Sequence, residues 1–248
     1  TGILQPLGTP DGDRTVTMAN TRLNSYAALV TDATAGGTQL AVDPTQLTAM
    51  GLSPGDLLLV IQMQGATIDT AAAAPTHGTV TGLGDAGHFE LIGVAGVTLA
   101  TGTVRVDGLC GGLKNSYSAT GKTQIVRVPQ YGNLVVSSSG QVVPAPWDGA
   151  VGGVLAIRAN RVEVQGGGSI DASRAGFRGG SALAAGATKS MATDATPFAS
   201  ASADDGSGKG EGVAGRLTTL GRGARRLRQQ AHLEARSGPS AQLVGGQV

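Results

Sequence analysis

A single cysteine, Cys110, rules out an internal disulfide framework and any site built on several thiolates. With no histidine close to it, it reads as a small buried thiol. Aromatic residues are only 3% of the 248, so a core has to be assembled from Val, Leu, Ile and Ala, which pack in thin regular layers. The formal net charge is +1, which leaves no overall field to draw the chain to nucleic acid or to an anionic membrane. No run of eighteen apolar residues occurs, so no segment spans a membrane as a helix. The three histidines, His77, His88 and His232, are scattered and form no His-x-x-x-His or Cys/His cluster, which removes the usual transition-metal spacings. The start, Thr1 to Pro6, has neither Met nor the basic and apolar regions of a signal peptide, as expected where a leader has been removed.

What is abundant is glycine: 41 residues, more than twice the usual share of about 7%. Many tight turns are therefore required. Short apolar or alternating runs lie between the turn signals: Thr38–Val42, His88–Ile92, Val97–Leu99, Thr103–Val106 and Gln124–Val128. The longest, Leu57–Gln64, suits a strand buried on both faces at first and on one face later, and marks the core. One helical turn is expected where Asp43 precedes Pro44, a cap followed by a residue that tolerates the first helical position.

The segment Asn133–Val143 can be laid over Arg161–Asp171 at an offset of 28 residues (133 to 161), each being strand, Gly/Ser corner, strand. That offset lies among the repeat lengths of stacked-coil proteins, roughly 20 to 50 residues. In such a coil inward aliphatics stack on the coils above and below, and glycine turns the corners. The expected fold is all-β: a right-handed, parallel β-helix-like solenoid preceded by a small β-rich N-terminal region. We read three parts: an extended segment over 1–36 with a short strand near Thr15–Thr17, a β-rich solenoid domain over 37–181, and a Gly/Ala/Ser-rich then Arg-rich tail over 182–248. The arginines from Arg216 to Arg236 suit a frayed tail, an Arg-bearing helix over 225–236, or the remnant of a longer chain. Nucleic-acid binding by this tail rests on local charge alone, and a solvated tail is the plainer reading.

Three stretches, Gly55–Ala66, Val126–Tyr131 and Trp147–Gly149 through Phe177–Gly180, carry a family resemblance. The chain resembles, over roughly residues 35–213, the N-terminal regions of large secreted glycine-rich surface proteins of gliding and predatory bacteria, some linked to gliding motility. The resemblance implies an exported, β-rich, surface-exposed protein and no particular reaction. Relatives continue into further glycine-rich sequence, whereas this chain turns Arg-rich after Gly215.

Candidate chemistry is sparse. Thr120-Gly121-Lys122-Thr123 imitates the end of a phosphate-binding loop, but Ser116 stands where its leading glycine belongs, and Gly210 after Gly208-Lys209 removes the Mg²⁺-binding hydroxyl. Gly206-Ser207-Gly208 is only a fragment of a nucleophile elbow. Asp148, Glu163 and Asp171 are the candidate catalytic acids, because β-helix enzymes that cleave polysaccharides use paired carboxylates on an exposed face; outward acids on strands are ordinarily just solvated charges. Asp11, Asp13, Asp204, Asp205 and Glu211 offer hard oxygens on loops that can curl around calcium, without the EF-hand spacing, although Asp and Gly are also what ordinary turns need. Trp147 and Tyr131 are candidates to stack on sugar rings; the plainer role for Trp147 is to plug a coil end, with one buried acceptor for its N–H.

Together these readings anticipate a secreted, adhesive or structural protein of the cell surface or matrix. Its partners would be polysaccharide, matrix components or copies of itself in a filament, and it would have no cofactor and no turnover. The alternative is a carbohydrate-active β-helix enzyme using Asp148, Glu163 or Asp171.

Overall fold

A computed structural model describes residues 10–69, 79–108, 111–178 and 211–215. Their regular secondary structure is mostly strand, with one short α-helix. In chain order the elements are β1 (Arg14–Val16), β2 (Tyr26–Ala28), β3 (Gln39–Ala41), α1 (Pro44–Met50), β4 (Leu57–Gln62), β5 (Thr67–Ile68) and β6 (Val80–Gly82). Then come β7 (Phe89–Thr98), β8 (Thr103–Val106), β9 (Thr123–Val128), β10 (Gln130–Val136), β11 (Gln141–Val142), β12 (Arg158–Val164) and β13 (Ser169–Ile170). No helix among them is long and apolar enough to cross a membrane.

Two kinds of sheet are joined. Strands β2, β9, β4, β7, β8 and β3 form a six-stranded antiparallel sheet in that order. Its two edge strands meet at a bridge between Leu29 and Val42, so the sheet curls until its margins touch. Strand β4 runs through the middle because its side chains alternate between two apolar surroundings. Leu58 and Val60 enter the main core with Leu40, Val42, Leu47, Val104 and Ile125. Leu59 points the other way, to Val126 and Val128, where Val154 and Ala156 cover it. Helix α1 closes the main core with Leu47 and Met50; the Asp43 carboxylate accepts from Gln46 N at 2.8 Å, and Gly51 in the left-handed region ends the helix.

The second kind of sheet is parallel. Strands β1, β10 and β12 lie side by side, as do β11 and β13. Partners on β10 and β12, and on β11 and β13, are always 28 residues apart (133 with 161, 141 with 169). Val16, Val136 and Val164 form one ladder of like residues. The glycine corners repeat with the same spacing: a Cβ on Gly140 would stand 2.2 Å from Val16 O, and one on Gly168 2.4 Å from Ser137 O. Neighbouring backbone therefore passes where any side chain would sit.

The whole antiparallel sheet lies between the first and second strands of this parallel stack. The chain leaves after Thr21, builds β2 to β9, and returns at Gln130. The N-terminal segment is thus structural as well as extended, with Val16 only 1% exposed. Arg127 joins the two parts, since its guanidinium donates to Asp11 Oδ1 at 2.6 Å and to Asp56 Oδ1 at 2.9 Å. Burial alone would push that guanidinium down, but the hydrogen bonds and charges of Asp56 and Asp11 hold it above its ordinary range.

Candidate functional site

Four loops converge beside the end of β4. Past Gln62 the chain runs through Met63, Gln64 and Gly65, and Gln64 N donates to Gly121 O at 2.7 Å, which sets the turn bearing Lys122 alongside. The loop after β11 brings Trp147 and Asp148, fixed by Trp147 N to Ala175 O at 2.8 Å. Residues 211–215 then bridge the two parts: Glu211 N donates to Arg178 O, while Gly65 N and Ala66 N both donate to Val213 O. Between these loops opens a crevice of about 530 Å³ lined by Gln64, Gly65, Thr120, Lys122, Asp148, Gly149, Ala150, Arg178, Glu211, Ala214 and Gly215.

Part of its lining is an ion pair. The Glu211 side chain is 5% exposed and accepts from Arg178 Nε and from Trp147 Nε1, each at 2.9 Å, while Arg178 also donates to Oε1. Burial by itself raises this carboxyl, but the hydrogen bonds and charge of Arg178, with the Trp147 N–H, bring it below the usual carboxylate range. Glu211 is therefore a fixed anion and no proton donor at neutral pH. Trp147 is 3% exposed and meets Phe177 edge to face at 5.6 Å. Its ring offers no face to a ligand, and its N–H has the buried acceptor that a plug requires. Tyr131, 8% exposed, belongs to the core of the parallel stack with Leu134 and Val136.

The lining also carries the exposed Lys122 and Asp148 and the buried Gln64. Among the described residues, Lys122 is one of three non-glycine residues with positive φ, at 55°, and its ammonium has no partner there. Asp148 Oδ1 accepts from Ala150 N at 2.7 Å and Val151 N at 2.8 Å, a turn that leaves Oδ2 to the crevice. Lys122 leads directly into strand β9, whereas a phosphate-binding loop leads into a helix.

The other candidates lie elsewhere. Glu163, on β12, pairs with Arg161 at 2.9 Å. Asp171, just past β13, accepts from Ser173 N, and this bond with the Ser173 side chain holds its carboxyl low. Asp11 and Asp13 both spend their oxygens on neighbouring strands. Asp11 receives Arg127 and Gln130 N, and Asp13 receives Asn133 N and Asn133 Nδ2. A cation there would have to displace those donors. Among the described residues no three His, Cys, Asp or Glu side chains are grouped to hold a metal. Asp204, Asp205, Cys110, His77 and His232 lie outside the described residues, and His88 sits 3.5 Å from Asp85 on the surface.

Gln64 is the residue that pattern reading passes over, because it ends an apolar run as if it were merely the wet end of a strand. Its being 7% exposed is a tertiary fact.

No family model and no curated protein matches the sequence. Among solved structures, the tailspike protein gp49 from Pseudomonas phage LKA1 overlaps 54% of this chain at 12% identity with a TM-score of 0.30. The Pseudomonas phage phi297 tailspike gp61 overlaps 64% at 13% identity with a TM-score of 0.27. The overlap takes in 27% and 25% of those two chains, and a likeness this slight carries no argument about the present one.

Proposed function

We propose that this chain is a structural or adhesive element of a cell surface or extracellular matrix, acting without turnover, and that its parallel strands are the first coils of a right-handed β-solenoid. The observation that supports this reading is the 28-residue ladder with its unfinished end. Leu134, Val136 and Val142 are fully buried, whereas their partners one step on, Val162, Val164 and Ile170, are 51, 46 and 41% exposed. An apolar rung of this kind, on a strand whose outer edge is unpaired among the described residues, suits a stack that is extended by a further parallel strand. Extension by another copy would be heterologous and open-ended, hence a filament. The family resemblance points the same way, to an exported surface protein.

The test is to incubate the purified chain with a panel of bacterial and plant polysaccharides, assaying the same tubes for co-sedimentation and for newly formed chain ends. Binding without new ends is expected. New ends that vanish in Asp148→Asn, Glu163→Gln or Asp171→Asn would establish an enzyme and overturn the proposal. Sedimentation velocity of Val164→Lys against the parent chain tests the filament, which the substitution should abolish.

A further inference from the structure

Glutamine is buried four times among the described residues, and three of the four amides are engaged. Gln62, 2% exposed, donates through Nε2 to Gln64 O at 2.8 Å and accepts at Oε1 from Ser118 N at 2.8 Å. Gln124, fully buried, clamps Gly152 by donating to its O and accepting from its N. Gln130 accepts from Arg158 at 3.2 Å. Gln64 is the exception: its backbone is satisfied, but its side-chain amide has no partner among the described residues although the residue is 7% exposed. A buried amide has two donors and two acceptor positions to fill, and leaving them empty forfeits its hydration with no return. Such a group needs an explanation, and its place in the crevice wall supplies one.

We infer that the crevice between Gln64, Lys122 and Asp148 binds a hexose unit of a neutral polysaccharide. The inference rests on the adhesive reading above and gives it a site. The chemistry is set by what the crevice leaves unspent. Arg178 and Glu211, which both line it, neutralise one another. That leaves one ammonium, Lys122, one carboxylate oxygen, Asp148 Oδ2, and one whole amide, Gln64. An anion would be welcomed by Lys122 and repelled by Asp148, and a cation the reverse. A sugar hydroxyl both donates and accepts, so neighbouring hydroxyls of one ring can donate to Asp148 Oδ2 and to Gln64 Oε1 while accepting from Lys122 and Gln64 Nε2. Asp148 and Lys122, being ionised, form the stronger bonds of this set. Oε1 is kept open because Gly215 has no side chain: a Cβ there would stand 3.1 Å from it. The volume of about 530 Å³ falls within the range of small-ligand sites, about 300–1,000 Å³.

The probes are the methyl glycosides of glucose, galactose and mannose, with sodium phosphate and sodium acetate as charged controls, titrated into the ¹⁵N-labelled full chain. Concentrations run to about 100 mM, two decades above a dissociation constant of about 1 mM. At least one glycoside should shift the Gln64 side-chain amide and the Gly65 and Gly149 backbone amides saturably, with neither salt reproducing the pattern. Gln64→Leu and Lys122→Met should each weaken that binding by about tenfold or more, and Glu163→Gln should leave it unchanged. Without sugar, Gln64→Leu should melt no lower than the parent, because no bond among the described residues is lost.

Failure of all three glycosides to shift Gln64 overturns the site, as does saturation by phosphate or acetate, which would mark an anion site. A melting temperature lowered by several degrees in Gln64→Leu would give the amide a structural role and also overturn it. These failures are separable from failure of the adhesive reading. If polysaccharide still co-sediments with Gln64→Leu, adhesion stands and this site falls. If glycosides shift Gln64 but no polysaccharide co-sediments, the site stands and adhesion falls.

Discussion

Replacing Glu211 by Gln should unfasten the strap 211–215, and the chain carries its own reporter, since Trp147 is its one tryptophan. The parent carboxylate receives Arg178 and Trp147, and its side chain is 5% exposed against 27% for Arg178. Truncating one partner of a buried ion pair costs about 3–5 kcal/mol. Gln keeps the shape and one acceptor oxygen, and Arg178 retains some water, so the loss should be nearer that of one charged hydrogen bond, about 1.5–3 kcal/mol. Because the folded carboxyl lies below its ordinary value, its contribution is complete above the unfolded value and is lost as pH falls through the folded one. Urea titrations followed by Trp147 fluorescence, run on both chains between pH 7 and pH 3, should therefore start apart and converge in acid. Equal stability at pH 7 would refute the reasoning, and so would a difference that persists undiminished at pH 3.

The same kinds of contact govern other substitutions. Leu134→Ala should cost about 2–5 kcal/mol by chemical denaturation, while Val162→Ala, one step along the ladder and half exposed, should stay within about 0.5 kcal/mol. Gly140→Ala forces a Cβ onto Val16 O and should cost about 1–3 kcal/mol or more, whereas Gly166→Ala, with nothing within 4 Å, should be nearly neutral in the same melts. Arg127→Met leaves Asp11 and Asp56 without their shared cation and should cost about 3 kcal/mol or more, with amide exchange rising first around Gln130.

Local pattern carries information only as far as local contacts do. The 28-residue offset between Asn133 and Arg161 is readable because parallel stacking sets like residue on like residue, so the register is written in the aliphatics themselves. The helix at Pro44 is readable because its cap lies three residues from the amide it binds. The insertion of eight strands between Thr21 and Gln130 leaves no such mark: β1 is three residues long and its partner is 120 positions away. The crevice is hidden for the same reason. Trp147 and Glu211 each stand out as a residue type, yet the 64 positions between them conceal that one holds the other. Gln64 differs from Gln62 only in what surrounds it, and that is decided by four separate loops.

The interrupted stack also orders events during synthesis. Val16 precedes its ladder partner Val136 by 120 residues, and every strand of the antiparallel sheet is made between them. Contacts at that separation carry a large loop-closure cost until the intervening chain has folded and shortened the distance. The antiparallel sheet therefore has to close first, bringing the two arms of its base together, before β1 docks on β10. Until then β1 is an unmatched edge, and how quickly β9 completes the sheet decides how long that edge stays open to a wrong partner.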